Sequence, residues 1–394
     1  MSPLCVTAFP ASCAAGKGRA AILEALRERR SGLSQNDFTT VPLATWIGRV
    51  PGVEEAMLPA DFAEWDCRNN RLAWLGLQSD GFLESVAMAR QRYGASRIAL
   101  VLGTSTSSIG ATEEGYRRAG PDGCYPKDLQ RPIVHTVHSL GHFVQHALGL
   151  AGVCVTVATA CSSSAKVFAQ AERLMRLGLA DAAVVGGVDS LCQSVLFGFS
   201  ALELISPQPC RPFDCNRRGI NIGEAAGFAL LERKGAGPKF LGYGESSDAH
   251  HMSTPHPEGL GARRAIEDAV ERGGIAPSDI DYINLHGTAS QKNDEVEARL
   301  VADLFPAQTR ASSTKGWTGH ALGAAGILEA VVSLLALESG FTPGTLNTQE
   351  LDASCGPQLH LENGDGDLRY ALSHSFGFGG SNCVLLFGRS HAHA

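Results

Sequence analysis

Cys161 is the residue of this chain best placed for nucleophilic chemistry. It stands in VTVATACSSSAKVFAQAERL, where an apolar strand pattern over 153–158 runs into the cysteine and three serines lead into a helix pattern over 162–178. A thiol at a helix N-terminus faces unpaired backbone N–H groups and the positive end of the helix dipole, which favour the thiolate. The small neighbours let a carbonyl approach, and the N–H of Cys161 can help hold an oxyanion. A lone cysteine is more often a buried structural thiol. That is the reading for Cys154 and Cys192, which sit in apolar, strand-like surroundings.

Three further segments carry polar groups in unusual settings. In DYINLHGTASQKNDEVEARL, His286 ends a strand pattern and is followed by Gly287 and Thr288, a setting for an exposed imidazole. Asp294 and Glu297 follow at i and i+3 at the start of a helix pattern, where carboxylates are favourable; a structural role suits both. In SSTKGWTGHALGAAGILEAVVSLLAL, Lys315 and His320 precede an apolar helix that contains Glu329. A carboxylate there needs a partner, and Lys315 or an imidazole is the natural one. In SHSFGFGGSN, Gly377, Gly379 and Gly380 admit backbone geometry closed to other residues, for a simple turn or a second oxyanion donor. One thiol, two imidazoles, one ammonium and two glycine-bounded turns suit a thioester-processing site. The cysteine can hold an acyl group, and neutral imidazoles can donate to a thioester carbonyl as it becomes an enolate.

The elements that must position these groups alternate between strand and helix patterns, which indicates an α/β fold. Helices are expected at 20–30, 162–178, 261–272, 294–304 and 321–338. Strands are expected at 97–102, 153–158, 182–187, 225–231, 281–285, 369–373 and 382–387. GEAAGFALLERK and GGSNCVLLFGR end two similar stretches, so a duplication is expected, with KGAGP at 234–238 as the seam and halves spanning 1–234 and 235–394. Residues 103–140 lack periodicity and read as a functional loop.

Bulk properties narrow the classes. The chain has 394 residues, 44% hydrophobic and 19% charged, an ordinary globular composition with ample material for a core. A net charge of -7 without a basic block argues against binding driven by nucleic-acid phosphates. The eleven cysteines include no CxxC pair, which weakens zinc and thioredoxin-like readings, and no metal is expected. AGKGR at 15–19 lacks the spacing of a phosphate loop. The N-terminus has no basic region ahead of its apolar stretch, and no uncharged apolar run reaches bilayer length, so a cytoplasmic protein is expected.

TACSSS, HGTxxxxND, STKxxTGHxxGAAGxxE and SFGFGGSN together resemble the β-ketoacyl-acyl-carrier-protein synthases of the type I/II branch, within the thiolase superfamily. They occur in that family's order and spacing, and CRPFD at 210–214, GEAAG at 223–227 and SSDAHH at 246–251 extend the match. The resemblance covers nearly the whole chain. It implies a thiolase-like αβαβα layered fold of two pseudo-repeated halves and a dimer, as a homodimer or with a chain-length-factor-like subunit. It makes Cys161 the acylated nucleophile and gives His286 and His320 to malonyl decarboxylation. It assigns Lys315 to tuning the site's electrostatics, paired with Glu329, and Phe378 to an aromatic gate whose N–H shares the oxyanion hole. Thr288, Thr318 and Gly379 would contact substrate, Asp294 and Glu297 would support the site, and Arg68 and Arg71 would dock the carrier. No bound cofactor is implied; substrates would arrive on the phosphopantetheine of acyl carrier protein.

Some positions depart from the family's pattern. The opening LCVTAFPASCAAG lacks the glycine-rich start, Arg218 stands where aspartate is usual, and Ala111 and Thr112 are small. These departures point away from general fatty-acid housekeeping toward a dedicated carrier and an unusual chain, such as a polyketide or polyene. A degradative thiolase would carry a second catalytic cysteine where SFGFGGSN stands. The synthase III branch would need a Cys-His-Asn set. A non-catalytic chain-length partner would lack the nucleophile, although this chain could pair with one. A cysteine hydrolase would leave the second histidine and the lysine unexplained.

Overall fold

The apolar runs become strands of one large sheet in a computed structural model that describes residues 1–390. Its principal strands are β1 (Leu4–Ala8), β2 (Ile98–Gly103), β3 (Cys154–Val157), β4 (Ala182–Asp189), β5 (Ala225–Glu232), β6 (Lys239–Ser247), β7 (Tyr282–Asn284), β8 (Arg310–Ser312), β9 (Tyr370–Phe376) and β10 (Ser381–Gly388). The helices are α1 (Arg19–Arg27), α2 (Arg68–Leu77), α3 (Phe82–Tyr93), α4 (Ile109–Arg117), α5 (Ser139–Ala147), α6 (Ser163–Arg176), α7 (Gln193–Ala201), α8 (Leu260–Gly273), α9 (Gln291–Leu304), α10 (Lys315–Thr318) and α11 (Ala325–Ser339).

The strand order is β8-β7-β9-β10-β6-β1-β5-β4-β2-β3. From β1 outward, the pairings β1–β5 and β5–β4 are antiparallel, and β4–β2 and β2–β3 are parallel. From β6 outward, β6–β10 and β10–β9 are antiparallel, and β9–β7 and β7–β8 are parallel. The two halves therefore repeat one topology. They join where Leu4 lies opposite Phe240 and Cys5 opposite Lys239.

Strand periodicity sorts the core into layers. Along β2, Ala99 and Val101 face one cluster while Ile98, Leu100 and Leu102 face another. Along β10, Cys383, Leu385 and Phe387 share the first cluster, while Val384 and Leu386 join a third. The shared cluster holds α6 and α11, which pack on each other between the halves. The outer clusters hold α2, α3 and α5 on one side and α8 and α9 on the other. This is the expected αβαβα layering. Buried between two sheet faces, α11 is apolar all round. The stretch Leu322–Ser339 is long and apolar enough to cross a bilayer, and 89% of it is buried inside the fold. A side chain at Gly326 would meet the backbone nitrogen of Ala165 at 2.6 Å, so the α6–α11 crossing needs glycine there.

The structure differs from the expected elements in instructive places. The helix expected over 321–338 does not start at 321: α10 stops at Gly319 (φ 69), one tight turn follows over Leu322–Ala324, and α11 begins at Ala325. His320 is held in this break by its N–H to the carbonyl of Asn221, 2.7 Å. The helix expected from 294 starts at Gln291, which places Asp294 in its first turn. The aperiodic 103–140 stretch contains α4.

Candidate active site

A tight turn presents Cys161. Ala160 adopts φ 51, a conformation costly for a residue with a side chain, between the end of β3 and the start of α6. Ser163 holds the turn: its hydroxyl donates to the Ala160 carbonyl at 2.6 Å and accepts from the Thr159 N–H at 2.8 Å. The cysteine is buried at the base of a cavity also lined by Phe199, Ile220, His286, His320, Phe376 and Phe378. His320 Nε2 lies 3.0 Å from its Sγ. The His286 ring stands nearly perpendicular to that of His320, at 84° and 5.4 Å between centroids. Lys315 Nζ, behind the histidines, donates to the His286 carbonyl and to Glu329 Oε1.

Burial dominates the electrostatics. It pushes the Cys161 thiol up to about 11, against the Phe378 N–H and the Lys315 charge, which act in the other direction. The thiolate expected from the helix terminus is thus outweighed, and the resting group is a thiol. Cys13 and Cys67 are pushed to about 11 as well, so burial does not single out Cys161; its neighbours do. Burial and the Lys315 charge hold both His286 and His320 well below the usual histidine range, so both are neutral imidazoles. Burial raises Glu329 to about 7 despite the attraction of Lys315.

Buried carboxylates pin the loops. Glu297 accepts the N–H groups of His286 and Gly287, each at 2.8 Å, and contacts His374 Nδ1 at 3.1 Å. Asp294 accepts the N–H groups of Phe213 at 2.8 Å and Ala289 at 3.1 Å. Both carboxylates reach out of α9 to hold the His286 loop, so their structural role is loop fixation in addition to their place near the helix terminus. Burial raises Asp294 to about 6. Sequence reasoning missed Asp189, which is buried and accepts from Thr104, Ser105 and Thr106 in the loop after β2. The signal was present: a lone carboxylate closing the apolar run AAVVGGVD.

The glycine turn at 377–380 completes the wall. Its Phe378 N–H is directed at the Cys161 sulfur, and the Phe378 ring lies 5.5 Å from that of Phe199. Gly379 and Gly380 take φ 79 and 78, as the glycine run suggested. Gly377 does not: its φ is -99, and its need for glycine is one of space, since a side chain would meet the Ser381 carbonyl at 2.9 Å and that of Thr159 at 3.1 Å.

Comparison with known proteins gives the family. The family model "Beta-ketoacyl synthase, N-terminal domain" matches residues 1–236, and "Beta-ketoacyl synthase, C-terminal domain" matches residues 239–349. The chain belongs to the β-ketoacyl synthase family. The 3-oxoacyl-[acyl-carrier-protein] synthase 2 of Vibrio cholerae is 31% identical over 394 residues, covering 93% of this chain and 94% of that protein. The mitochondrial 3-oxoacyl-[acyl-carrier-protein] synthase of Arabidopsis thaliana is 40% identical over 270 residues, 63% of this chain and 58% of the relative's own length. Among solved structures, the ketosynthase ApeO in complex with its chain length factor ApeC, from Xenorhabdus doucetiae, superposes with a TM-score of 0.90 at 34% identity over 98% of each chain.

Other residues singled out in this β-ketoacyl synthase fall in varied places. Thr288 lines the cavity, with its hydroxyl 2.9 Å from that of Ser290. Thr318 is buried outside the cavity lining and donates to the Gly319 carbonyl at 2.8 Å. Gly379 sits on the exposed outer side of its loop, while Gly377, Phe378 and Gly380 face inward. Arg68 spends its guanidinium on the fully buried Glu224, at 2.7 and 2.9 Å, and on Glu54 at 2.7 Å. Arg71 is paired with Asp66 through two 2.6 Å bonds. The cavity shares Ser253, Thr254, Ser290 and Asn293 with a wider hollow that carries Arg218 and Lys292.

Proposed function

We propose that this β-ketoacyl synthase catalyses decarboxylative condensation of malonyl-acyl-carrier protein with an acyl chain held on Cys161. The observation that carries the reading is the joint presence of one thiol and two neutral imidazoles around one apolar cavity. The resting thiol is activated as His320, at 3.0 Å, takes its proton while the acyl thioester is attacked. The N–H groups of Cys161 and Phe378 hold the resulting oxyanion. His320 passes that proton to the departing carrier sulfur, so the carrier leaves as a thiol, Cys161 is acylated and the imidazole is neutral again. Malonyl-carrier then enters, and the imidazoles of His286 and His320 donate to its thioester carbonyl. The bond to the carboxylate breaks, carbon dioxide departs, and the electron pair moves into the enolate. Neutral donors suit this step, because they stabilise a developing negative charge without requiring a base. The enolate carbon attacks the Cys161 thioester, and a carbon–carbon bond forms as the carbon–sulfur bond breaks. The departing Cys161 thiolate takes up one proton from solvent, leaving the thiol and a 3-oxoacyl-carrier.

Lys315, joined to the His286 carbonyl and to Glu329, keeps a positive charge behind the histidines as the enolate forms. No tightly bound cofactor is needed; the substrates ride on carrier phosphopantetheine, which enters by the Arg218 and Lys292 hollow. The catalytic unit is a dimer working in the cytoplasm. The 34% identity to a ketosynthase structurally paired with a chain length factor supports a heterodimer of that kind. The departures at the opening segment, Ala111, Thr112 and Arg218 support polyketide or polyene synthesis. The reaction is tested with malonyl-carrier labelled in its free carboxyl carbon: one labelled carbon dioxide should appear per 3-oxoacyl-carrier formed. Release of free fatty acid without condensation would favour hydrolysis instead. A clear rate preference for saturated over polyunsaturated acyl-carriers would remove the polyene assignment.

A further inference from the structure

We infer that Cys161, His286 and His320 form a reversible site for a soft divalent cation, with Zn²⁺ as the foremost candidate, and that the bound ion closes the active site to acylation. The binding depends only on geometry; the inhibition rests on the acyl-transfer reading above.

The three residues come from three distant segments, so their spacing in sequence carries no metal signature. The fold brings one ligand atom from each within 4.8 Å of the others. In tetrahedral zinc with Zn–S near 2.3 Å and Zn–N near 2.0–2.1 Å, neighbouring ligand atoms lie about 3.5 Å apart. Cys161 Sγ and His320 Nε2, at 3.0 Å, are already that close. The remaining separations, none above 4.8 Å, need to shrink by at most about 1.3 Å to reach that ligand spacing. A sulfur and two imidazole nitrogens are a donor set zinc prefers. The fourth position faces the cavity, where water can complete the sphere. Among the described residues, no other group of three or more histidine, cysteine or acidic side chains has this arrangement.

The surroundings limit the affinity. Ligating histidines in dedicated sites donate their second ring nitrogen to a carboxylate or carbonyl. Here Nδ1 of both His286 and His320 is buried without a partner. A site lacking that outer support binds reversibly rather than as a permanent structural centre. Lys315 adds a positive charge nearby, which weakens cation binding further and which its ion pair with Glu329 offsets only in part. Binding is balanced by one proton: Zn²⁺ displaces the Cys161 thiol proton to solvent, both imidazoles bind neutral, and no redox change occurs.

The test uses the purified full chain and Co²⁺ as a spectroscopic stand-in. One ion per chain should give a thiolate-to-cobalt charge-transfer band with tetrahedral d–d absorption, abolished by stoichiometric Zn²⁺. The band should vanish in Cys161→Ser and in wild-type protein alkylated at Cys161, the latter guarding against misfolding of the variant. Loss of one ligand in His286→Ala or His320→Ala should weaken binding at least about tenfold, since even outer-shell losses cost about 10–100-fold. No thiolate band, or a band that persists without the Cys161 thiol, overturns the site. Zn²⁺ should also suppress acyl loading of Cys161 by intact mass; undiminished loading with the metal bound overturns the inhibition. If metal-free protein does not load acyl groups at all, the proposed reaction fails, while the cobalt result still decides the site.

Discussion

The crossover from β3 to α6 and the one from β8 to α11 occupy equivalent places in the two halves, yet they deliver different chemistry. The first, over 158–162, is a tight turn that presents one buried thiol to the cavity beside a strained Ala160. The second, over 313–324, is longer and breaks the helix to project Lys315 and His320 into the centre. The loops after β2 and β7 show the same division. Asp189 pins 104–106 in the first half, and Glu297 with Asp294 pins 286–289 in the second, but only the second carries an imidazole. The duplicated topology supplies a rigid frame, and the unequal loops place an acyl holder on one side and enolate-stabilising donors on the other.

If the two sides are chemically separable, each should fail in its own way. Cys161→Ala should lower condensation by at least about 10⁴-fold while leaving malonyl decarboxylation measurable. His286→Ala and His320→Ala should each lose roughly 10²–10³-fold in decarboxylation, while the His286 variant still accepts an acyl group on Cys161. Separate assays of acyl loading and carbon dioxide release check both. Loss of both partial reactions together in well-folded variants would erase the distinction.

Next in size is Lys315→Met, which strands Glu329 in the core. Breaking a buried ion pair costs about 3–5 kcal/mol. A carboxyl whose native value lies above its unfolded one favours the folded state at low pH and loses that advantage as pH rises through the native value. With Glu329 already near 7, and higher still without its partner, the variant's deficit in urea unfolding should grow from pH 6 to pH 8.5. Equal deficits at both pH values would show that Glu329 is not the stranded charge.

A smaller effect sharpens the nucleophile's side. Because Cys161 is raised to about 11, its alkylation by iodoacetamide should climb about tenfold per pH unit from 7 to 10. A plateau below pH 9 would mean that the helix terminus and His320 outweigh burial. Smallest is Arg218→Asp, which should raise KM for the carrier a few-fold at low salt with kcat unchanged, a difference that fades as salt is added. A change in kcat alone would place Arg218 in the chemistry rather than at the mouth.

Much of this was legible in the sequence because it is local. Apolar runs at 97–102, 182–187 and 225–231 form strands within a residue or two, since their side chains are buried on both faces. Cys161 was recognisable from its strand-to-helix junction, and the Lys315–Glu329 pair from a carboxylate stranded in an apolar helix. What depended on distant contacts was hidden. Gly319 and the Asn221 carbonyl break a helix that periodicity alone would start at 321. Asp294 and Glu297 resemble helix-terminal carboxylates until the loops they hold come into view. The Cys161 thiolate was expected from a dipole that acts locally, whereas burial, a property of the whole fold, decides the proton.

The central claim is that Cys161 holds an acyl group which the histidine side then extends. Intact-mass measurement after incubation with an acyl-carrier should show one stable acyl adduct, located on Cys161, that disappears with formation of a 3-oxoacyl-carrier only when malonyl-carrier is added. An adduct lost rapidly to water without malonyl-carrier, or an adduct on another residue, would contradict it.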